Sequence, residues 1–168
     1  MPDPTPHTLP ANLQQFGTPP LTIELVPKTC FFSNVRSHVE PEVWDKLRKS
    51  TYRQANYTCQ ICGGRGPTWP VECHEIWYYD DLTLTQRLDG LIALCPLCHQ
   101  TKHLGLAGMN NKGEEVMKHL AKVNNWSEPH AEQYLKLIWD LWMERSREQW
   151  KLDLRWLELV GVYITPER

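Results

Sequence analysis

Cys59-Gln60-Ile61-Cys62 and Cys95-Pro96-Leu97-Cys98 constrain this chain more than any other feature, because two such pairs tie distant segments to one point when they share an ion. Zinc takes four soft ligands in a tetrahedron. A two-residue gap brings both sulfurs of a pair to the same ion, with backbone amides capping the thiolates. Glycines at 63, 64 and 66 suit the tight turn that must follow the first pair. Disulfides are the alternative use of cysteine, but Met1 leads into a proline-studded stretch and not into a charged region followed by an apolar run. Cys59, Cys62, Cys95 and Cys98 are therefore expected to hold a structural Zn2+, in a protein of the cytoplasm. The second pair runs directly into His99-Gln100-Thr101-Lys102-His103, which marks a candidate second metal site beside the first.

A chain of 168 residues that is 41% hydrophobic, with eight tryptophans, can build one principal domain with a core, and it contains no apolar run long enough to cross a bilayer. The net charge of −2 argues against coating nucleic acid by charge alone. Its distribution is uneven: Lys28 to Arg65 carries seven basic residues against three acidic ones, whereas Glu72 to Asp89 carries five acids against Arg87 alone. A basic stretch beside an acidic, metal-attracting one suits an enzyme acting on a phosphodiester; the other reading is a solvated helix face next to a polar loop.

Prolines crowd residues 1–20, which are expected to form a disordered arm, and 21–39 a connection whose Leu21 to Val26 alternates as a short strand. Pro41 suits the first turn of a helix running from about Glu40 to Ala55, with Lys46, Lys49 and Arg53 on its basic side. Val71 to Tyr79 and Leu88 to Leu94 have strand composition, the second interrupted by Asp89-Gly90, and a helix is expected from near Cys98 to Gly105 or Gly108. On such a helix His99 and His103 share a face. Residues 40–108 thus form the expected metal-bearing unit and 109–168 a helical extension, in which Ser127 is a helix cap and Trp150 to Val162 an extended closing segment. Apolar residues Trp139 and Met143 on that extension suit core packing, with a protein partner or a homodimer through the tryptophan-rich helices as the alternative.

Cys-x-x-Cys, then Glu72-Cys73-His74-Glu75-Ile76, then Leu91-Ile92-Ala93-Leu94-Cys95-x-x-Cys98-His99-x-x-x-His103 resembles the zinc-knuckle members of the HNH endonuclease superfamily over about residues 40 to 106. The resemblance implies an α+β fold with a ββα-metal core: two strands and a helix cradling a divalent ion that assists phosphodiester hydrolysis. His74 stands where that family places a first metal ligand, and His99 and His103 where its helix supplies further ones. The position of the family's general-base histidine holds Glu75, and that of its central asparagine holds Gly90, next to Asp89. Two letters of the family's name are unmatched.

On these grounds the chain is expected to be a divalent-metal-dependent nuclease acting on nucleic acid, DNA in the first instance. His74, His99 and His103 would hold Mg2+, Mn2+ or a second Zn2+, and Glu75 would activate water, its basicity raised by desolvation. Arg65, Arg87 and Lys102 flank the site as candidate phosphate contacts. Glu72 is either a solvent-facing acid or a support for one of the histidines, and Cys30 and Cys73 are read as buried thiols. The alternative is a catalytically quiet zinc-binding module that binds nucleic acid or protein, because three histidines and a glutamate also saturate a second zinc.

Overall fold

In the computed structural model, residues 10–109 and 111–164 are described. The first long element is helix α1 (Pro41–Gln54), with Pro41 at its start, Glu42 in its first turn and Arg53 in its last, each where the helix dipole favours it. Trp44 and Leu47 pack from α1 against a small cluster built on Val35, Leu88 and Leu157. Asn56 and Tyr57 at positive φ then turn the chain into the first cysteine pair. Gly66 beyond it tolerates no side chain, since a Cβ there would lie 2.2 Å from the carbonyl oxygen of Trp69.

Strands β1 (Glu72–Asp80) and β2 (Thr85–Leu94) form an antiparallel hairpin in register from Glu72↔Leu94 to Asp80↔Thr85. The interruption expected at Asp89-Gly90 is a bulge: Ile76 pairs with Gly90 and Trp77 with Leu88, leaving Asp89 unopposed. β2 begins at Thr85, three residues before the Leu88 start expected from composition, because β3 (Lys151–Asp153) pairs in parallel with Thr85 to Arg87 and completes a sheet of order β1-β2-β3. Most of the closing segment is otherwise not extended; it contains helix α6 (Trp156–Leu159).

Immediately after β2, Cys95 caps helix α2 (Pro96–Lys102), followed by α3 (Leu104–Met109), α4 (Gly113–Asn124) and α5 (Glu128–Arg145). Asn125 ends α4 in the left-handed conformation, and the Ser127 hydroxyl accepts the His130 N–H to start α5. The main core joins Leu94, Cys95 and Cys98 to Leu104, Leu120, Ala131 and Ile138. The whole is a mixed α+β fold in which β1, α2 and the two residues that cap α2 carry Cys95, Cys98 and the histidines at 74, 99 and 103, while Cys59 and Cys62 lie in the turn before β1.

Two expectations are corrected. Residues 10–20 do not form a free arm: Leu13 and Phe16 are buried in the main core, around a 3-10 turn at Gln14–Phe16. Proline restricts helix and strand but not burial; residues 1–9 of the expected arm lie outside the described residues. Leu21 to Val26 forms no strand. The Glu24 N–H instead donates to the carbonyl of Lys102, which lays this segment across the end of α2. The tryptophans of the C-terminal extension mostly turn inward: Trp142 donates to the carbonyl of Val26 and Trp150 to that of Arg145, while Trp139 and Met143 remain exposed on α5. Among the described residues, no helix is long and apolar enough to cross a membrane.

Candidate metal centre

The sulfurs of Cys59, Cys62, Cys95 and Cys98 lie within 4.8 Å of one another, in agreement with the spacing of the two pairs. Three of these cysteines are buried in the core and Cys62 is exposed. The Gly64 N–H donates to Cys62 Sγ and the Cys98 N–H to Cys95 Sγ, each at 3.4 Å, so backbone amides already point at the sulfurs as thiolate ligands require. The Cys98 thiol hydrogen-bonds Cys59 and holds its pKa down to about 4, while Cys98 itself is pushed up by the same contact and by burial. A cluster that concentrates negative charge on buried sulfur in this way suits a soft dication, and zinc fits the donor set.

His119 was not singled out by its spacing, yet α4 packs on α2 and brings its Nε2 within 3.1 Å of Cys98 Sγ. An imidazole N–H donated to a bound thiolate drains charge from the sulfur and fixes its position. Replacing such a neighbour of a metal ligand typically costs about 10–100-fold in metal affinity. His119→Ala is expected to release zinc to a chromophoric chelator at least about tenfold faster than wild type, at the low end of that range; an unchanged rate would remove His119 from the site.

A second group forms on the other side of α2. His74 from β1 and His99 and His103 from α2 and its C-terminal cap offer ring nitrogens within 4.8 Å of one another. The ring of His74 lies 5.4 Å from that of His99 and 4.9 Å from that of His103, and the latter two are 4.8 Å apart. His74 is buried and the other two are partly so. Burial, with His74 and His99 nearby, pushes His103 down to about 3, so its ring stays in the neutral form that metals bind.

Two carboxylates orient these rings. Glu72 lies two residues before His74 on the same face of β1, and its Oε2 is 2.5 Å from His99 Nδ1. Glu24 Oε2 is 2.6 Å from His74 Nε2, and Glu24 Oε1 accepts from the Lys102 ammonium at 2.5 Å. Burial opposes ionisation of Glu24, but Lys102 and the hydrogen bond with His74 together hold its pKa well below the usual carboxylate range. A ring nitrogen that donates to a carboxylate carries the proton and leaves the other nitrogen with its lone pair. With the ring protons placed there, Nε2 of His99 and Nδ1 of His74 would be the nitrogens left to hold an ion.

The other expected site residues fall elsewhere. Glu75 is on the opposite face of β1 from His74, where its carboxylate accepts the Val35 N–H at 3.0 Å and the Trp77 indole N–H at 3.1 Å. Burial raises its pKa, as anticipated, but it is outside the histidine group and does not reach an ion held there. Gly90 places no side chain, and Asp89 pairs with Arg87 at 2.6 Å. Arg65 donates to the carbonyl of Asn56 and to the Thr58 hydroxyl, beside the first cysteine pair. Lys102 is only 6% exposed, with its charge committed to Glu24 and Thr22, so it braces the site from beneath and is not a surface phosphate contact. Cys30 is buried; Cys73 is half-buried, and burial pushes its thiol up to about 11.

All three histidines also line a cavity of about 520 Å³ that runs between β1, the Thr22–Val26 segment and α5. Comparison of the chain with protein-family models returns no match, and comparisons with curated proteins and with solved structures likewise return none.

Proposed function

We propose that the chain is a metal-dependent hydrolase of nucleic-acid phosphodiester bonds, DNA first among them, built on a ββα-metal scaffold like that of the HNH endonucleases. The observation that carries this reading is the convergence of His74, His99 and His103 from a strand and the helix that follows it, next to a four-cysteine group. Three imidazole ligands would leave a tetrahedral ion one position for water or substrate, and their softness favours Zn2+ over Mg2+. When bound, the ion supplies Lewis acidity to a phosphodiester oxygen and makes a water acidic enough to attack near neutral pH. Glu24 and Glu72 hold the ring protons of His74 and His99, fixing both rings for that task. The two carboxylates are about equally exposed, but the His99 side chain is 24% exposed against 4% for His74, so incoming phosphate meets the His99 side of the triad.

The unmatched positions support a second reading, a quiet zinc-binding module for nucleic acid or protein, because neither Glu75 nor Gly90 brings a base to the histidines. One assay separates the two. Wild type, His74→Ala and Glu75→Gln are incubated with plasmid and with single-stranded DNA in Zn2+, Mn2+, Ni2+ and Mg2+. The hydrolase reading predicts cleavage by wild type and by Glu75→Gln and a loss in His74→Ala of about 10²- to 10³-fold, the scale of removing one electrostatic stabiliser of developing charge. Absence of cleavage by wild type in every metal would favour the quiet module.

A further inference from the structure

The cavity beside the histidines is more than the metal centre requires. Its volume of about 520 Å³ lies in the range of small-molecule sites, and its walls are largely apolar and aromatic, with Trp77, Tyr79, Tyr134 and Trp142 among them. The Tyr79 hydroxyl is buried and has no hydrogen-bond partner among the described residues. Leaving such a group unpaired costs roughly 1–3 kcal/mol, which a bound polar edge would recover. Phe31, 70% exposed, lines the cavity at its rim, and the ring of Phe32, 84% exposed, lies 5.9 Å from it edge to face. Two adjacent phenylalanines held in water beside a polar-handled aromatic cavity make a stacking surface.

The charges nearby point the same way. Arg87 is paired with Asp89, Arg145 with Asp81 and Lys102 with Glu24, so these cations are already neutralised within the chain. A duplex is held mainly through its phosphates, whereas unpaired strands are held largely by stacking on aromatic rings.

We propose that this cavity receives one unstacked nucleobase, with Phe31 and Phe32 stacking on its neighbour at the rim, and that the substrate is single-stranded or locally unpaired nucleic acid. The inference rests on the hydrolase reading and names its substrate class. A base in the cavity satisfies the Tyr79 hydroxyl through a ring nitrogen, carbonyl or amino group, and places the adjoining phosphate by the histidines. An intact duplex offers no such base unless one is flipped out, which costs unstacking energy.

The test uses the zinc-loaded full chain and two readouts. Fluorescence anisotropy with a short labelled single strand, a matched duplex and a duplex carrying one bulged base measures binding; cleavage of the same three measures turnover. Wild type is expected to bind and cut the single strand and the bulge at least about tenfold better than the duplex, a difference of ~1.4 kcal/mol. Phe32→Ala, at an exposed position, is expected to weaken single-strand binding ~5- to 150-fold, the equivalent of one lost stacking contact. Tyr79→Phe is expected to weaken it ~2- to 12-fold through the lost hydrogen bond. Zinc content and melting temperature should be unchanged in Phe32→Ala. Equal binding of strand and duplex, or single-strand affinity within twofold of wild type in both variants, would overturn the proposal. If nothing is cut in any metal, the hydrolase reading fails on its own, and the anisotropy still decides the cavity.

Discussion

Stripping zinc from the four-cysteine group is expected to unfold the protein, not merely loosen it. Cys59, Cys95 and Cys98 are part of the main core, packed with Leu94, Leu104 and Leu120, and Cys95 also caps the helix that carries His99 and ends at His103. Structural zinc contributes on the order of 10–16 kcal/mol, as much as or more than the ~5–15 kcal/mol by which a domain is usually stable. Without the ion, four sulfurs crowded within 4.8 Å of one another in the core have no cation to draw them together. A chelator strong enough to compete should therefore abolish the helical circular dichroism signal and collapse the dispersion of the amide spectrum, and re-addition of Zn2+ under reducing conditions should restore both. Retention of the full signal in protein shown by elemental analysis to lack zinc would mean that the hydrophobic core suffices alone.

Removing the Glu24 carboxylate is expected to produce the largest effect of any single substitution outside the metal ligands. Glu24 is the shared partner of Lys102, whose side chain is 8% exposed, and of His74, whose side chain is 4% exposed. In Glu24→Ala the Lys102 ammonium stays buried without its counter-charge, a change that typically costs about 3–5 kcal/mol. His74 loses the acceptor that fixes its ring, and the histidine centre should lose ~10- to 100-fold in metal affinity. The two effects separate experimentally. Glu24→Ala combined with Lys102→Met, which replaces the stranded charge by an apolar chain of similar length, should recover most of the stability in urea titrations of zinc-loaded protein. It should leave metal binding at the histidines as weak as in the single variant. Recovery of both would show that Glu24 acts only as the partner of Lys102.

Glu24 also shows where reading the sequence stops. The four cysteines and the three histidines are legible because their geometry is local: two-residue gaps, a four-residue helical spacing, and a strand ending at Leu94 that runs straight into the capping Cys95. Glu24 lies fifty residues from His74, in a stretch whose alternation suggests a strand. Its position is set by the hydrogen bond of its N–H to the end of α2 and by Lys102, neither of which leaves a pattern in the sequence. His119 is the same kind of omission, since it reaches Cys98 only because α4 packs on α2. A lone acid in an apolar segment was the one available sign for Glu24.

Glu75 was misplaced for a different reason. Adjacent strand residues face opposite ways, so a carboxylate directly after His74 reaches the same ion only if the backbone bends there, and β1 stays in register through Ile76. Position 72, two residues before His74, satisfies that alternation, and the Glu72 hydrogen bond to His99 follows from it. Leu13 and Phe16 illustrate the remaining limit, because composition rich in proline says what backbone is excluded and nothing about which side chains a core will claim.

Metal content per chain tests the central claim most directly, measured by elemental analysis on wild type and His103→Ala after equilibration with excess Zn2+ and removal of loosely held ions. Two zinc ions in wild type and one in His103→Ala, with unchanged circular dichroism, is the predicted result. One zinc in both proteins would contradict it, leaving the histidines as neighbours that share no ion.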